Sequence, residues 1–223
     1  MAERKGTFIT IEGLDGCGKS TQLEKLAAVL RADGLDVVAT REPGGTAVGE
    51  KIRGVLLDSS TAGLSPWAEL ALMFASRAQH LKEVILPGLQ AGRIVLCDRF
   101  TDSTEAYQGG GRRLGSEPVL TLHRTLCGNL QPDLTILMDS EVSASVARAR
   151  RRNQSRPGDQ ADENRFEQES RAFFERVRNA YLAIARREPH RFFVVDARRQ
   201  PDVVHADIVK AVREKLRLAA RTA

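Results

Sequence analysis

Phe8-Ile9-Thr10-Ile11-Glu12-Gly13-Leu14-Asp15-Gly16-Cys17-Gly18-Lys19-Ser20-Thr21-Gln22 joins an apolar run to a glycine-rich turn and then to the start of an amphipathic segment. Within it Gly13, Gly18, Lys19 and Ser20 fit G-x-x-x-x-G-K-[ST], the P-loop. Glycines let successive backbone N–H groups wrap a phosphate, and a following helix points its positive end at the same anion. Lys19 would reach the outer phosphates, and the Ser20 hydroxyl would ligate Mg²⁺. A glycine turn that binds nothing is the bland alternative, but the motif sits in the strand–turn–helix context that phosphate binding requires.

Working outward, residues 7–12 read as a short strand buried on both faces. Leu23, Leu26, Ala27 and Leu30 then recur at helical spacing until Asp33-Gly34 stops them. Further strands are expected at 35–40, 93–97, 134–138 and 192–196. Helices are expected at 48–57, 66–83, 118–127, 142–152, 166–186 and 203–218. This alternation predicts an α/β fold of P-loop NTPase type, a parallel five-stranded sheet with helices on both faces and right-handed crossovers. Helix 66–83, with Leu70, Leu72, Met73 and Phe74, is too apolar for a surface helix and is expected to meet both the core and a second subunit. The stretch 101–111 ends in Tyr107-Gln108-Gly109-Gly110-Gly111 and is expected to hold no regular structure without help. Ligands of such sheets bind beyond the carboxyl ends of the strands. Strand one ends in the P-loop, strand two in Arg41-Glu42-Pro43 and strand three in Asp98-Arg99, so the unusual chemistry clusters there.

The 223 residues suit one domain, 1–223, with ample chain to bury a core. A formal charge of +5 suits anionic ligands without separating nucleotides from nucleic acid. Cys17, Cys97 and Cys127 are odd in number and form no C-x-x-C pair, which argues against a disulfide framework or zinc site and for a reducing compartment. The charged start lacks a signal-peptide core, and no apolar run approaches the roughly 20 residues of a membrane span, so a cytoplasmic location without membrane contact is expected.

No later strand ends in D-x-x-G and no guanine-reading N-K-x-D follows, which sets GTPases aside. Arg148, Arg150, Arg151 and Arg152 precede a Pro/Gly/Asp/Gln tract at 153–163 that has no apolar anchor and is expected to be mobile. A small P-loop domain with charged strand ends and such a basic tract suits phosphoryl transfer to a small acceptor, chemistry that rests on positioning and charge neutralisation.

Gly13-Leu14-Asp15-Gly16-Cys17-Gly18-Lys19-Ser20, Thr40-Arg41-Glu42-Pro43-Gly44-Gly45-Thr46, Cys97-Asp98-Arg99-Phe100 and Ala106-Tyr107-Gln108-Gly109-Gly110-Gly111-Arg112, followed by Arg165-Phe166-Glu167-Gln168-Glu169, together resemble the thymidylate kinase family over most of the chain. The resemblance implies a nucleoside monophosphate kinase-like fold and conversion of dTMP and ATP to dTDP and ADP with Mg²⁺, in a cytoplasmic homodimer with a mobile lid at about 147–165. It implies that Gly13, Leu14, Asp15, Gly16, Cys17, Gly18, Lys19, Ser20 and Thr21 hold ATP, that Ser20 and Asp98 hold the metal, and that Arg99 bridges donor and acceptor phosphates. For dTMP it implies Asp15 near the sugar and phosphate, Arg41 and Arg53 on the phosphate, Arg77 on a thymine carbonyl, Ser103 and Gln108 on the base, and Tyr107 under the deoxyribose.

Several alternatives stay open. Cys17 reads better as a small residue in a tight turn; the other roles open to the rest are a solvated turn residue for Asp15, a structural ion pair for Asp98 and Arg99, and, equally, a solvated helix face for Arg53. Glu42 either orients the acceptor phosphate's surroundings or pairs with an arginine. The family's ring over thymine lies four residues before its arginine, where this chain has Met73; Phe74, three residues before, is the expected stacking ring, with core packing as its other role. Gly16-Cys17 stands where some members carry a P-loop arginine, so the catalytic arginine is expected from the lid, as Arg148, Arg150 or Arg152. The rivals are a kinase for another nucleoside monophosphate and a P-loop regulator that contacts nucleic acid through its basic lid.

Overall fold

The strand that carries the P-loop lies at the centre of the sheet. In the computed structural model, which describes residues 5–61, 63–154 and 165–222 (without the side chains of 152–154 and 218–222), β1 (Thr7–Gly13) pairs in parallel with β3 (Ile94–Asp98) and with β4 (Leu134–Asp139). Adding β2 (Val37–Arg41) and β5 (Phe192–Asp196) gives five parallel strands in the order β2-β3-β1-β4-β5. The helices are α1 (Lys19–Ala32), α2 (Ala47–Leu57), α3 (Pro66–His80), α4 (Leu86–Gln90), α5 (Thr101–Thr104), α6 (Ser116–Cys127), α7 (Val142–Gln154), α8 (Arg171–Arg187) and α9 (Pro201–Thr222).

The pleat decides which helices cover which face. Ile9, Ile11, Ile94 and Leu96 pack with Leu26 and Leu30 of α1 and with Ile208 and Val212 of α9. Phe8 and Val95 point the other way, onto Leu70 and Phe74 of α3 and Val119 of α6. A third cluster joins Leu14 and Leu137 to Phe173, Phe174, Val177 and Tyr181 of α8. Each such buried side chain contributes about 1.5–3 kcal/mol relative to exposure. Hydroxyl caps start three of the helices: Thr46 Oγ1 accepts from Gly49 N, Ser65 Oγ from Ala68 N, and Ser170 Oγ from Phe173 N.

Two stretches differ from expectation. The helix that begins at Pro66 does not end near residue 83; it continues through a π-helical turn, Leu81–Ile85, into α4. Pro87 has no N–H to give to a regular ladder, and the widened turn just before it absorbs that loss. The expected irregular tract 101–111 is helical, as α5 followed by a π-helical turn at Glu105–Gly111. Its help comes from α8: a Cβ on Gly111 would lie 2.6 Å from the Phe173 ring, and one on Gly110 would lie 2.6 Å from Ala180 Cβ. Only glycine permits that approach. The long late helix begins at Arg171 rather than 166, because Ser170 caps it. Of the tract expected to be mobile, 153–163, residues 155–163 lie outside the described residues. No helix among the described residues is long and apolar enough to cross a membrane.

Candidate active site

The carboxyl ends of β1, β2 and β3 meet at two adjoining clefts. Glu42 N donates to Asp98 O at 2.9 Å and Arg99 N to Ile11 O at 3.0 Å, which locks the three strand ends together. In the P-loop, Lys19 Nζ donates to the carbonyls of Gly13 (3.2 Å) and Leu14 (2.9 Å) and lies 3.8 Å from Asp15. Leu14 and Cys17 are buried in the core and do not line the open cleft at the P-loop, where Gly18, Ser20 and Thr21 are exposed. Ser20 Oγ donates to Asp98 Oδ2 at 2.8 Å, while Asp98 Oδ1 is buried with no hydrogen-bond partner among the described residues. A desolvated carboxylate oxygen beside a hydroxyl is a fitting donor set for a hard divalent cation.

Gly16 explains the missing P-loop arginine. A Cβ there would lie 2.2 Å from Ser145 O and 2.8 Å from Ala149 N, so α7 sits directly on the loop. Arg148, one turn along that helix, donates through Nε to Gly16 O at 2.8 Å and lines the open cleft. Arg150 is not brought there: its Nε donates to Glu167 O. The Arg152 side chain lies outside the described residues.

Arg99 has the left-handed backbone conformation, φ 72°, that a non-glycine residue adopts only under constraint. The constraint is Glu12: its Oε1 accepts from Phe100 N at 2.7 Å, and its Oε2 accepts from Ser103 Oγ (2.5 Å) and Tyr181 OH (3.0 Å). Arg99 Nη1 donates to Ser103 Oγ and Tyr181 OH, and Nη2 to Asp15 Oδ1 at 2.6 Å and Tyr107 OH at 3.2 Å. Burial opposes ionisation of Asp15, but Arg99 and Lys19 outweigh it and hold the carboxyl well below its usual range. Glu12, fully buried, is pushed up to about 7 by burial and by the charge of Asp102.

Beside the open cleft, a narrower one of about 90 Å³ with mostly apolar walls is lined by Pro43, Arg53, Leu57, Met73, Arg77 and Gln108 among others. Arg77 donates through Nε to Glu42 Oε2 (2.7 Å) and through Nη2 to Thr104 Oγ1 (2.8 Å), leaving Nη1 buried with no partner among the described residues. Phe74 does not line this cleft. It is fully buried in the core, with the Arg77 guanidinium 4.8 Å above its ring; three residues apart on one helix, it stacks on the arginine itself and Met73 faces the cleft. Ser103 lines the cleft, but its hydroxyl is engaged by Glu12, Arg99 and Tyr181. Gln108 lines it too and donates its amide to Glu69 at 2.7 Å.

Arg41 reaches the open cleft from β2 and pairs with Glu50 at 3.0 Å. Arg53 lines both clefts and donates to Pro43 O. Glu42 is buried between Arg77 and His80. Glu42, His80 and Cys97 are close enough to suggest a metal, but Glu42 is taken up by those two partners, and burial keeps the Cys97 thiol protonated, donating to Arg99 O. Sequence reasoning missed Glu12, Tyr181 and Glu69. Glu12 reads as the last residue of a strand and Tyr181 as one of an apolar stripe, and neither carries a local signal for the site.

Asp15, Glu42, Arg53 and Arg99 line both clefts and so stand at their junction. The profile of the family described as "Thymidylate kinase" matches residues 11–208. A thymidylate kinase of Trichlorobacter lovleyi is 51% identical over 209 residues, 94% of this chain and 98% of that protein. One of Desulfovibrio desulfuricans is 49% identical over 96% of this chain and 98% of its own length. A crystal structure of thymidylate kinase from Ehrlichia chaffeensis superposes with a TM-score of 0.74 at 32% identity, covering 93% of this chain and 98% of that one. With the P-loop on the central strand and two clefts meeting at shared arginines and acids, the chain belongs to the thymidylate kinase family.

Proposed function

We propose that the chain transfers the γ-phosphoryl of ATP to dTMP, giving dTDP and ADP. The observation that carries this reading is the pair of adjoining clefts: one wide and polar at the P-loop, the other narrower and mostly apolar-walled, with Asp15, Glu42, Arg53 and Arg99 common to both. Two nucleotides bound end to end would bring their phosphates together at those residues. Family membership and about 50% identity to thymidylate kinases over nearly the whole chain support the same acceptor.

In this reading the P-loop amides from Gly13 to Thr21 and Lys19 hold the ATP phosphates. Ser20 and Asp98 hold Mg²⁺, which supplies charge neutralisation between the phosphates when bound. Arg99, fixed from behind by Glu12, spans donor and acceptor oxygens; Arg41 and Arg53 hold the acceptor phosphate. Arg77 Nη1 and Gln108 meet the base, Met73 packs on it, and Tyr107, locked to Asp15 at 3.0 Å, closes the space beside the sugar. Arg148 is the favoured lid arginine, since its helix rests on Gly16. Of the expected lid at about 147–165, residues 155–164 lie outside the described residues, and the reading rests on Arg148 within its described part. A cytoplasmic location is supported by three free cysteines, and a homodimer by Val48, Val55 and Trp67, apolar and 46–59% exposed on α2 and α3.

The test is an acceptor panel with ATP and Mg²⁺. The chain is expected to phosphorylate dTMP at least tenfold faster than dCMP, UMP or AMP. No preference for dTMP would overturn the reading.

A further inference from the structure

Gln108 lines the narrower, apolar-walled cleft. Its side chain lies within hydrogen-bonding distance of Glu69, with the amide nitrogen 2.7 Å from Glu69 Oε1. Glu69 is fully buried on α3 and also accepts from Arg112 Nε and Nη2 at 3.1 Å each and from Arg165 Nη1 at 2.6 Å. A carboxylate facing two guanidiniums only accepts, so the –NH₂ end of Gln108 must face it. The other end, Oε1, makes no hydrogen bond among the described residues and belongs to a residue that lines the cleft. Arg77 lines the same cleft, and its Nη1 is a buried donor without a partner among the described residues.

We infer that Glu69 is a positioning residue for base selection: by pinning the Gln108 amide it leaves an acceptor, Gln108 Oε1, on a residue of the same cleft lining that carries the donor Arg77 Nη1. That pair complements a base edge with a ring N–H next to a carbonyl, as in thymine and uracil. It opposes cytosine, whose N3 accepts and whose exocyclic amine donates. Mispairing would leave both protein groups buried and unsatisfied, which is the strongest source of discrimination available to such a cleft. Glu69 touches no ligand itself and acts through Gln108. The inference rests on the dTMP reading above and deepens it.

The experiment is steady-state kinetics of the full chain with dTMP and dCMP at saturating ATP and Mg²⁺, for the wild type, Glu69→Gln, Gln108→Ala and the double variant. Glu69→Gln can present either end of its amide to Gln108 and so releases the orientation. It is expected to raise the KM for dTMP and to lower the dTMP-over-dCMP ratio of kcat/KM about tenfold or more, with kcat for dTMP and KM for ATP nearly unchanged. In the Gln108→Ala background the same substitution is expected to leave the ratio unaltered. An unchanged ratio in Glu69→Gln, or an equal effect with and without Gln108, overturns the inference. Should Glu69→Gln not fold, Glu69→Asp, which shortens the reach to the Gln108 amide, decides: it is expected to lower the dTMP-over-dCMP ratio when Gln108 is present and to leave it unaltered in Gln108→Ala, and an unchanged ratio overturns the inference. Failure of the dTMP reading looks different, since the wild type itself would then show no preference for dTMP.

Discussion

Replacing Glu12 by glutamine tests the support beneath the catalytic arginine. The carboxyl is fully buried, shares its environment with Asp102, and has its midpoint moved from the ordinary 4.5 to about 7. Between those two pH values the folded chain keeps the proton that the unfolded chain has lost. The stability associated with the protonated form is therefore fully present below pH 4.5 and is lost as pH rises to about 7. A displacement of that size corresponds to about 3 kcal/mol. Denaturant unfolding of wild type and Glu12→Gln at pH 5, 6, 7 and 8 measures it. Other titrating groups are common to both proteins and cancel in the difference. The wild type is expected to lose up to about 3 kcal/mol more than the variant across this range. Parallel pH profiles would refute the reasoning, for they would mean that Glu12 is ionised throughout and that the cluster of Ser103, Tyr181 and Arg99 compensates its burial. Because a glutamine offers an –NH₂ where Ser103 and Tyr181 need acceptors, kcat is also expected to fall about tenfold or more even at pH 5.

Two further outcomes separate residues that the sequence leaves equivalent. Arg148→Ala is expected to lower kcat by about 10³-fold with little change in thermal midpoint, whereas Arg150→Ala, whose partner is Glu167 O, is expected to cost less than tenfold; steady-state rates at saturating ATP and dTMP decide between them. Phe74→Ala is expected to destabilise the fold by about 3–5 kcal/mol in denaturant melts, as a core deletion does, whereas Met73→Ala is expected to raise the KM for dTMP with stability nearly intact. A Phe74 variant that melts like the wild type but binds dTMP poorly would return the stacking role to that ring.

What the sequence by itself determined is whatever neighbouring residues encode. The P-loop is a run of contiguous turn chemistry, the five strands and their helices follow from periodicity, and the charged strand ends follow from position in the pattern. Parallel connection then forces those ends to one side of the sheet, which is why Asp15, Arg41, Glu42, Asp98 and Arg99 could be grouped without coordinates. Only the tertiary structure decided which side chains hold the others. Glu12 meets Tyr181 across 169 residues and Glu69 meets Arg165 across 96, and no local pattern records a partner at that distance. The same holds within a single helical turn: spacing puts Met73 and Phe74 equally near Arg77, but the packing of α3 on Phe8 and Phe100 buries Phe74 and leaves Met73 to the cleft. The tract 101–111 shows the converse, a glycine-rich sequence with poor helical propensity that becomes ordered because α8 lies close enough to hold it.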